Sequence, residues 1–199
     1  MHVTLYEHGT NRSARVRWTA LEAGIDYQAI SRPDLIGSDE LRRVHPLAKL
    51  PAAEIDGRPL FESTSICTYL ADHAPVIDLI ANPGSWARAK HDQWVAFTLA
   101  EMDAWLWNTA INKYVLPENQ RMDAGFTQNN KMFQRSAAVL DRVLSHQPFL
   151  VEDRFTVTDI IVGWSVNWGR RTGNLKGFNN LKAYLDRLFQ RPFCTLNPD

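Results

Sequence analysis

The sequence predicts an α+β domain with a four-stranded mixed sheet, followed by an all-α helical bundle domain. Three observations predict it. Through residue 75, short β-rich runs alternate with segments of helical spacing. Asp56-Gly57, flanked by two such runs, is a strong two-residue hairpin signal. Beyond Pro83-Gly84, every periodic segment has helical spacing.

Val3-Thr4-Leu5-Tyr6 is the first strand. Residues 12–23 carry helical spacing with Val16, Thr19, Ala20 and Ala23 on one face. Gly24 stops that helix, since glycine enters the left-handed conformation without a Cβ clash. Ile25 to Ile30 is a second strand, and residues 36–44 read as a short polar helix. Residues 51–55 and 58–61 form the hairpin, and Ser63 to His73 the next helix, with Ile66, Tyr69 and Leu70 as its apolar stripe. A parallel pair joined by a right-handed crossover, plus an antiparallel hairpin, gives four strands in one mixed sheet. Residues 76–84 read as a linker, which sets the domains at 1–75 and 85–199. Residues 85–113 form one long helix with Trp94, Phe97, Glu101 and Trp105 about a turn apart, broken by Pro117. Residues 127–146 form a second, with Met132, Ala138 or Val139, Arg142 and Val143 along it. Thr156 to Asp159 has the form of a capping box, and Trp164 and Trp168 lie at i and i+4 behind it. Residues 178–190 form a last amphipathic helix, stopped by Pro192.

Composition narrows the function. The 199 residues suit one large or two small domains, and 45% hydrophobic with 22% charged residues is ordinary for a globular chain. The 22 basic and 22 acidic residues balance without a basic stripe, which argues against a nucleic-acid partner. No run approaches the roughly 20 apolar residues of a membrane span, and the N-terminus reads as a strand rather than a signal peptide. Two cysteines on separate segments, Cys67 and Cys194, argue against a disulfide framework and for a cytoplasmic location. The six histidines are scattered without metal-ligand spacing, and no glycine-rich phosphate loop appears.

Two short segments carry the chemistry. Lys49-Leu50-Pro51 places a proline at the entry of an alternating strand, where its missing N–H is tolerated. A cis peptide there turns backbone N–H and C=O groups outward as an edge for a peptide-like ligand. Glu62-Ser63 opens a helix, whose free N–H groups and dipole favour an anion. Together they describe a site that reads a small peptide by its backbone and its carboxylate.

With these segments, Arg15-Val16 in the first helix, the Thr156–Asp159 box and the terminal Arg191-Pro192, the chain resembles the cytosolic glutathione S-transferase family over nearly its whole length. The resemblance implies a thioredoxin-like first domain and a glutathione site on it. Leu50 would offer its backbone to the cysteinyl part, with Pro51 as the cis proline. Glu62 and Ser63 would hold the γ-glutamyl end, and Lys49 the glycyl carboxylate. The sulfur needs a hydrogen-bond donor near the end of the first strand. Aligned on Arg15-Val16, that place falls on Thr10, with Asn11 next to it and Ser13 a turn further on. Helix capping is the competing reading of all three. The family's second substrate, a small electrophile, would lie between the domains, with His8, Arg12, Trp105, Trp107 and Tyr114 as pocket candidates. Packing into the bundle core is the competing reading of the tryptophans. A homodimer is implied, and no metal. No cysteine precedes Cys67, so disulfide exchange by a Cys-x-x-Cys pair is excluded at its usual place.

The energetics require little. A free thiol has a pKa of about 8.5, and lowering it by two units takes about 2.7 kcal/mol of preference for the anion. One hydrogen bond to a charged group contributes about 1.5–3 kcal/mol and a helix N-terminus about 0.3–1 kcal/mol more. One hydroxyl and one helix end therefore suffice to make glutathione a thiolate. The same thiolate serves conjugation, isomerisation, peroxide reduction or dehalogenation. The rival from another class is a relative that keeps the fold without turnover, a binding or regulatory protein. Thr10, and Ala48 where glycine is frequent, feed that alternative.

Overall fold

The computed structural model describes residues 1–75 and 77–196, so Val76 of the expected linker and the last three residues of the expected helical domain lie outside the described residues. The chain divides into two compact units, one of Met1–Ala81 together with the segment from Arg191, the other Asn82–Gln190.

The first unit has the expected order. Strands β1 (Val3–Tyr6), β2 (Gln28–Ile30), β3 (Ala52–Ile55) and β4 (Arg58–Phe61) form one sheet in the order β2-β1-β3-β4. The β1–β2 pair is parallel, and the β1–β3 and β3–β4 pairs are antiparallel. The fold is thioredoxin-like. Asp56 and Gly57 both have positive φ, 49° and 76°, as a tight hairpin turn requires. The second strand begins three residues later than expected, at Gln28, since Ile25 is spent on closing the preceding helix: its N–H bonds Ala20 O at 2.9 Å.

Helix α1 (Ser13–Ala23) ends at Gly24 with φ 65°, and buries Val16, Thr19, Ala20 and Ala23 as well as Arg15 and Trp18. Helix α2 is only Asp39–Arg42, capped by Ser38 Oγ, which accepts from Leu41 N at 3.1 Å. Helix α3 (Ser63–Asp72) packs against α1. Its buried stripe is Ile66, Cys67 and Leu70, while Tyr69 is exposed and stacks on His73. The last described segment, expected with the helical domain, groups with this unit. Arg191 binds Glu22 through two short bonds of 2.7 and 2.6 Å, and Thr195 Oγ1 donates to Ala14 O at 2.7 Å. Leu79, Ile80 and Ala81 of the expected linker are buried and also group with it.

The second unit is helical: α4 (Trp86–Thr98), α5 (Ala104–Ala110), α6 (Phe126–Val143), α7 (Val157–Arg171) and α8 (Asn179–Phe189). The expected helix over 85–113 is interrupted by two wide turns, Leu99–Asp103 and Ile111–Val115, where Ala104 N reaches Leu99 O and Leu116 N reaches Ile111 O. This displaces the expected stripe. The buried run is His91, Trp94, Thr98, Met102 and Leu106, while Glu101 is exposed and Phe97 and Trp105 are half-buried. Steps of four residues drift by about 40° in a regular helix, and a wide turn absorbs that drift. In α6 the buried residues are Asn129, Phe133, Ser136, Ala137 and Leu140, not Met132, Arg142 and Val143, a phase error of one position. The capping box forms: Thr156 N donates to Asp159 Oδ2 at 2.9 Å, and Thr156 Oγ1 accepts from the first turn of α7. Trp164 is buried and Trp168 half-buried.

Two outcomes follow from this unit. A Cβ at Gly169 would lie 2.1 Å from the ring of Phe133, itself fully buried. Gly169→Ala is therefore expected to cost about 1–3 kcal/mol, read from the urea midpoint. Asp159 also accepts from Leu150 N and from the Tyr184 hydroxyl, yet burial dominates and raises its carboxyl from 3.8 to about 6. The native state therefore takes up this proton before the unfolded chain does. The resulting stabilisation is complete below the unfolded value and is lost as pH rises through about 6. Relative to Asp159→Asn, the natural protein is expected to gain about 1 kcal/mol between pH 7 and pH 5 in paired denaturation curves.

Candidate functional site

One row of paired residues sets the site. Ile30 pairs with Tyr6, Tyr6 with Ala52, and Ala52 with Phe61. The segments that leave this row are residues 7–12 after β1, 49–51 before β3 and 62–63 after β4, so the sequence-predicted residues of the first unit emerge from one end of the sheet. Adjacent strands are about 4.8 Å apart, so the row from Tyr6 to Phe61 spans about 10 Å, the extended length of a tripeptide.

The first segment is held from the helix that follows it. Arg17 donates to Glu7 Oε2 at 2.6 Å and to the carbonyl of Gly9 at 2.9 Å, with Gly9 at φ 66°. Thr10 follows, exposed, and its hydroxyl makes no hydrogen bond among the described residues. The capping of α1 falls to Asn11, whose Oδ1 accepts from Ser13 N at 2.8 Å. Ala14 N and Arg15 N bond back to Asn11 O and Arg12 O, so the first amides of this helix are occupied. Ser13 is 0% exposed, and its Oγ has no hydrogen-bond partner. Arg12 is half-buried at the helix entry, and His8 is half-buried with Nδ1 3.3 Å from Ser31 Oγ.

The other two segments differ in what they leave open. The Leu50–Pro51 peptide is cis. Pro51 is buried, Leu50 half-buried and Lys49 exposed, and neither backbone group of Leu50 is hydrogen-bonded among the described residues. Glu62 is exposed with φ 69° and ψ 117°, an outlier for a residue with a long side chain, and its carboxylate caps nothing. The amides of Ser63, Thr64 and Ser65 at the start of α3 have no acceptor among the described residues, the situation that suits an anion. Ser63 is buried and its Oγ receives Arg15 Nη1 at 3.4 Å.

In the second unit, Trp105 and Trp107 lie two positions apart on α5, both half-buried, and point to different faces. Trp105 Nε1 is buried without a hydrogen-bond partner. Tyr114, in the second wide turn, is 78% exposed. Cys67 is buried on α3, where desolvation pushes its thiol up to about 12, so it is no nucleophile. Sequence reasoning missed three residues of the first unit: Arg17, which fixes the Gly9 carbonyl, Arg15, which reaches Ser63, and His45, whose ring lies 5.1 Å from that of Phe61. A charge ten positions from Glu7 and a lone histidine before a proline give no periodic signal.

Comparison with known proteins defines the class. The models for the glutathione S-transferase N-terminal domain and C-terminal domain match residues 11–73 and 98–192, and the chain belongs to the glutathione S-transferase family. Glutathione S-transferase GstA of Escherichia coli O157:H7 is 24% identical over 180 residues, covering 87% of this chain and 86% of that one. Elongation factor 1-gamma of Danio rerio is 29% identical over 177 residues, 83% of this chain but 38% of its own length. Among solved structures, a sphingomonad glutathione S-transferase complexed with glutathione superposes with a TM-score of 0.83 at 22% identity, over 96% of this chain and 94% of that one.

The capping assignment is testable without any ligand. Asn11→Ala is expected to lower stability by about 1 kcal/mol, whereas Thr10→Val leaves the denaturation midpoint nearly unchanged. Equal losses in the two variants would place the cap on both.

Proposed function

We propose that this protein is a glutathione transferase that holds glutathione along the Tyr6–Ala52–Phe61 end of its sheet and presents the sulfur as a thiolate to a small electrophile. The observation that carries this reading is the set of unspent groups at that end: the Thr10 hydroxyl, the Leu50 backbone and the first amides of α3 beside the left-handed Glu62. In this reading Leu50 meets the cysteinyl backbone next to Pro51. Glu62 takes the γ-glutamyl ammonium, the α3 amides with Ser63 take its carboxylate, and Lys49 approaches the glycyl end. Asn11 shapes the loop as cap. Thr10, rather than the sealed Ser13, donates to the sulfur, since only an exposed hydroxyl reaches a ligand. Because the α1 amides are occupied, α1 assists by its dipole alone, and the hydroxyl supplies most of the preference for the anion.

For the electrophile, His8 and Arg12 are the candidates of the first unit, and Trp105, Trp107 and Tyr114 those of the second. A homodimer in the cytoplasm is the expected working state. Isomerase, peroxidase and dehalogenase chemistry use the same thiolate. A second reading, a non-catalytic relative, is favoured by the matches to proteins named elongation factor 1-gamma.

The test is calorimetric titration with reduced glutathione at neutral pH, followed by electrophile screening. Saturable one-site binding is expected. Thr10→Val should keep that binding, raise the pKa of the bound thiol by one to two units, read by thiolate absorbance, and cut turnover by about 10- to 100-fold. Binding without turnover in any screen would favour the second reading; no binding at all would remove the glutathione site.

A further inference from the structure

The backbone that carries Thr10 is held by a single tether. Glu7 N donates to Ile30 O at 3.0 Å, which keeps Glu7 on the sheet, and Asn11 is tied to α1 by its cap bond to Ser13 N. Between these anchors the backbone of residues 8–10 makes one hydrogen bond among the described residues, from Arg17 Nη2 to Gly9 O at 2.9 Å. Sterics fix little here. Gly9 sits at φ 66°, which glycine enters freely, and no atom lies within 4 Å of where a Cβ would stand.

The guanidinium that makes this tether is itself fixed. Its Nη1 donates to Glu7 Oε2 at 2.6 Å, and the two side chains are 21% and 10% exposed, so water competes little for either. Bonds of this charge-assisted kind are short and stronger than neutral ones. One arm of the fork therefore grips a residue anchored in the sheet, and the other grips a glycine with no other backbone tether. We propose that Arg17 is a positioning residue for the sulfur donor: through Glu7 and Gly9 it sets the place of the next residue, Thr10, and so the share of bound glutathione that is thiolate. The inference rests on the glutathione reading and deepens it, because it assigns control of the hydroxyl to a side chain that touches no ligand.

Lysine keeps the charge but has one donor nitrogen on a flexible stem, so Arg17→Lys loses the two-armed grip. The bound thiol of Arg17→Lys, read by thiolate absorbance across pH, is expected to titrate about one unit higher than in the natural protein, with turnover at neutral pH lower by about three- to tenfold. Glu7→Gln leaves Arg17 in place and removes the charge that orients it, and a rise of about half a unit is expected. S-Methylglutathione fills the same site without a thiol to ionise, and it should bind the natural protein and both variants within about twofold. In a Thr10→Val background, Arg17→Lys should add no further rise, since it acts through the hydroxyl. An unchanged thiol titration in both single variants would overturn the role of Arg17 and leave the glutathione site standing. So would a full further rise in the Thr10→Val background, which would mean that the charge acts on the sulfur directly. Losses for S-methylglutathione as large as those for glutathione would reduce Arg17 to a support of the whole site and overturn it too. Absence of glutathione binding by the natural protein would overturn the glutathione reading and this inference with it.

Discussion

The register of β3 against β1 is the constraint on which the rest of the first unit depends. Side chains alternate between the faces of a strand, so a slip of one residue would turn Ala53 and Ile55 inside out against Val3 and Leu5. The same slip would move Pro51 and Phe61 out of line with Tyr6. Buried apolar pairs therefore hold the register, and the register aligns three loops that are far apart in sequence. The site inherits its geometry from packing that has no chemical role.

Cross-links between elements refine that placement. Arg17 reaches backward from α1 to the loop that precedes the helix, and its bond to Glu7 fixes the guanidinium that holds Gly9 O. Arg15 lies on the buried side of the same helix and meets Ser63 at the head of α3. Two neighbouring arginines on one helix thus touch the loops on either side of the sheet's end. Their fixed, always-charged forks make them suited to this, since each orients a polar group without titrating.

Much of the fold was legible because its signals are local. Asp56-Gly57 fixes its hairpin by backbone freedom, Gly24 ends its helix by the same means, and Thr156 to Asp159 closes its box within four residues. Pro51 was readable as a strand entry because proline lacks the donor a central strand needs. What was not legible depends on distant partners. Nothing in residues 99–115 announces the wide turns, which arise where a run of four-residue steps must keep Thr98, Met102 and Leu106 on one side. Phe133 replaces Met132 in the core because the far end of its ring packs against Gly169, thirty-six positions away. Within the candidate site, hydroxyl-rich Thr10 to Ser13 could be named from sequence, but the division of labour could not: Asn11 is the cap, Ser13 is sealed and Thr10 is left open.

The tail that begins at Arg191 has a consequence for synthesis. Glu22 and Ala14 receive their partners Arg191 and Thr195 only after a further 169 and 181 residues have been made. At about 5–20 residues per second, that delay is on the order of ten seconds or more. During it the first unit must persist with a buried carboxylate, Glu22, whose remaining partner among the described residues is the Trp18 indole. The unit whose helix α1 is translated before the helical unit is thus completed after it, and removing the segment from Arg191 would be felt in α1.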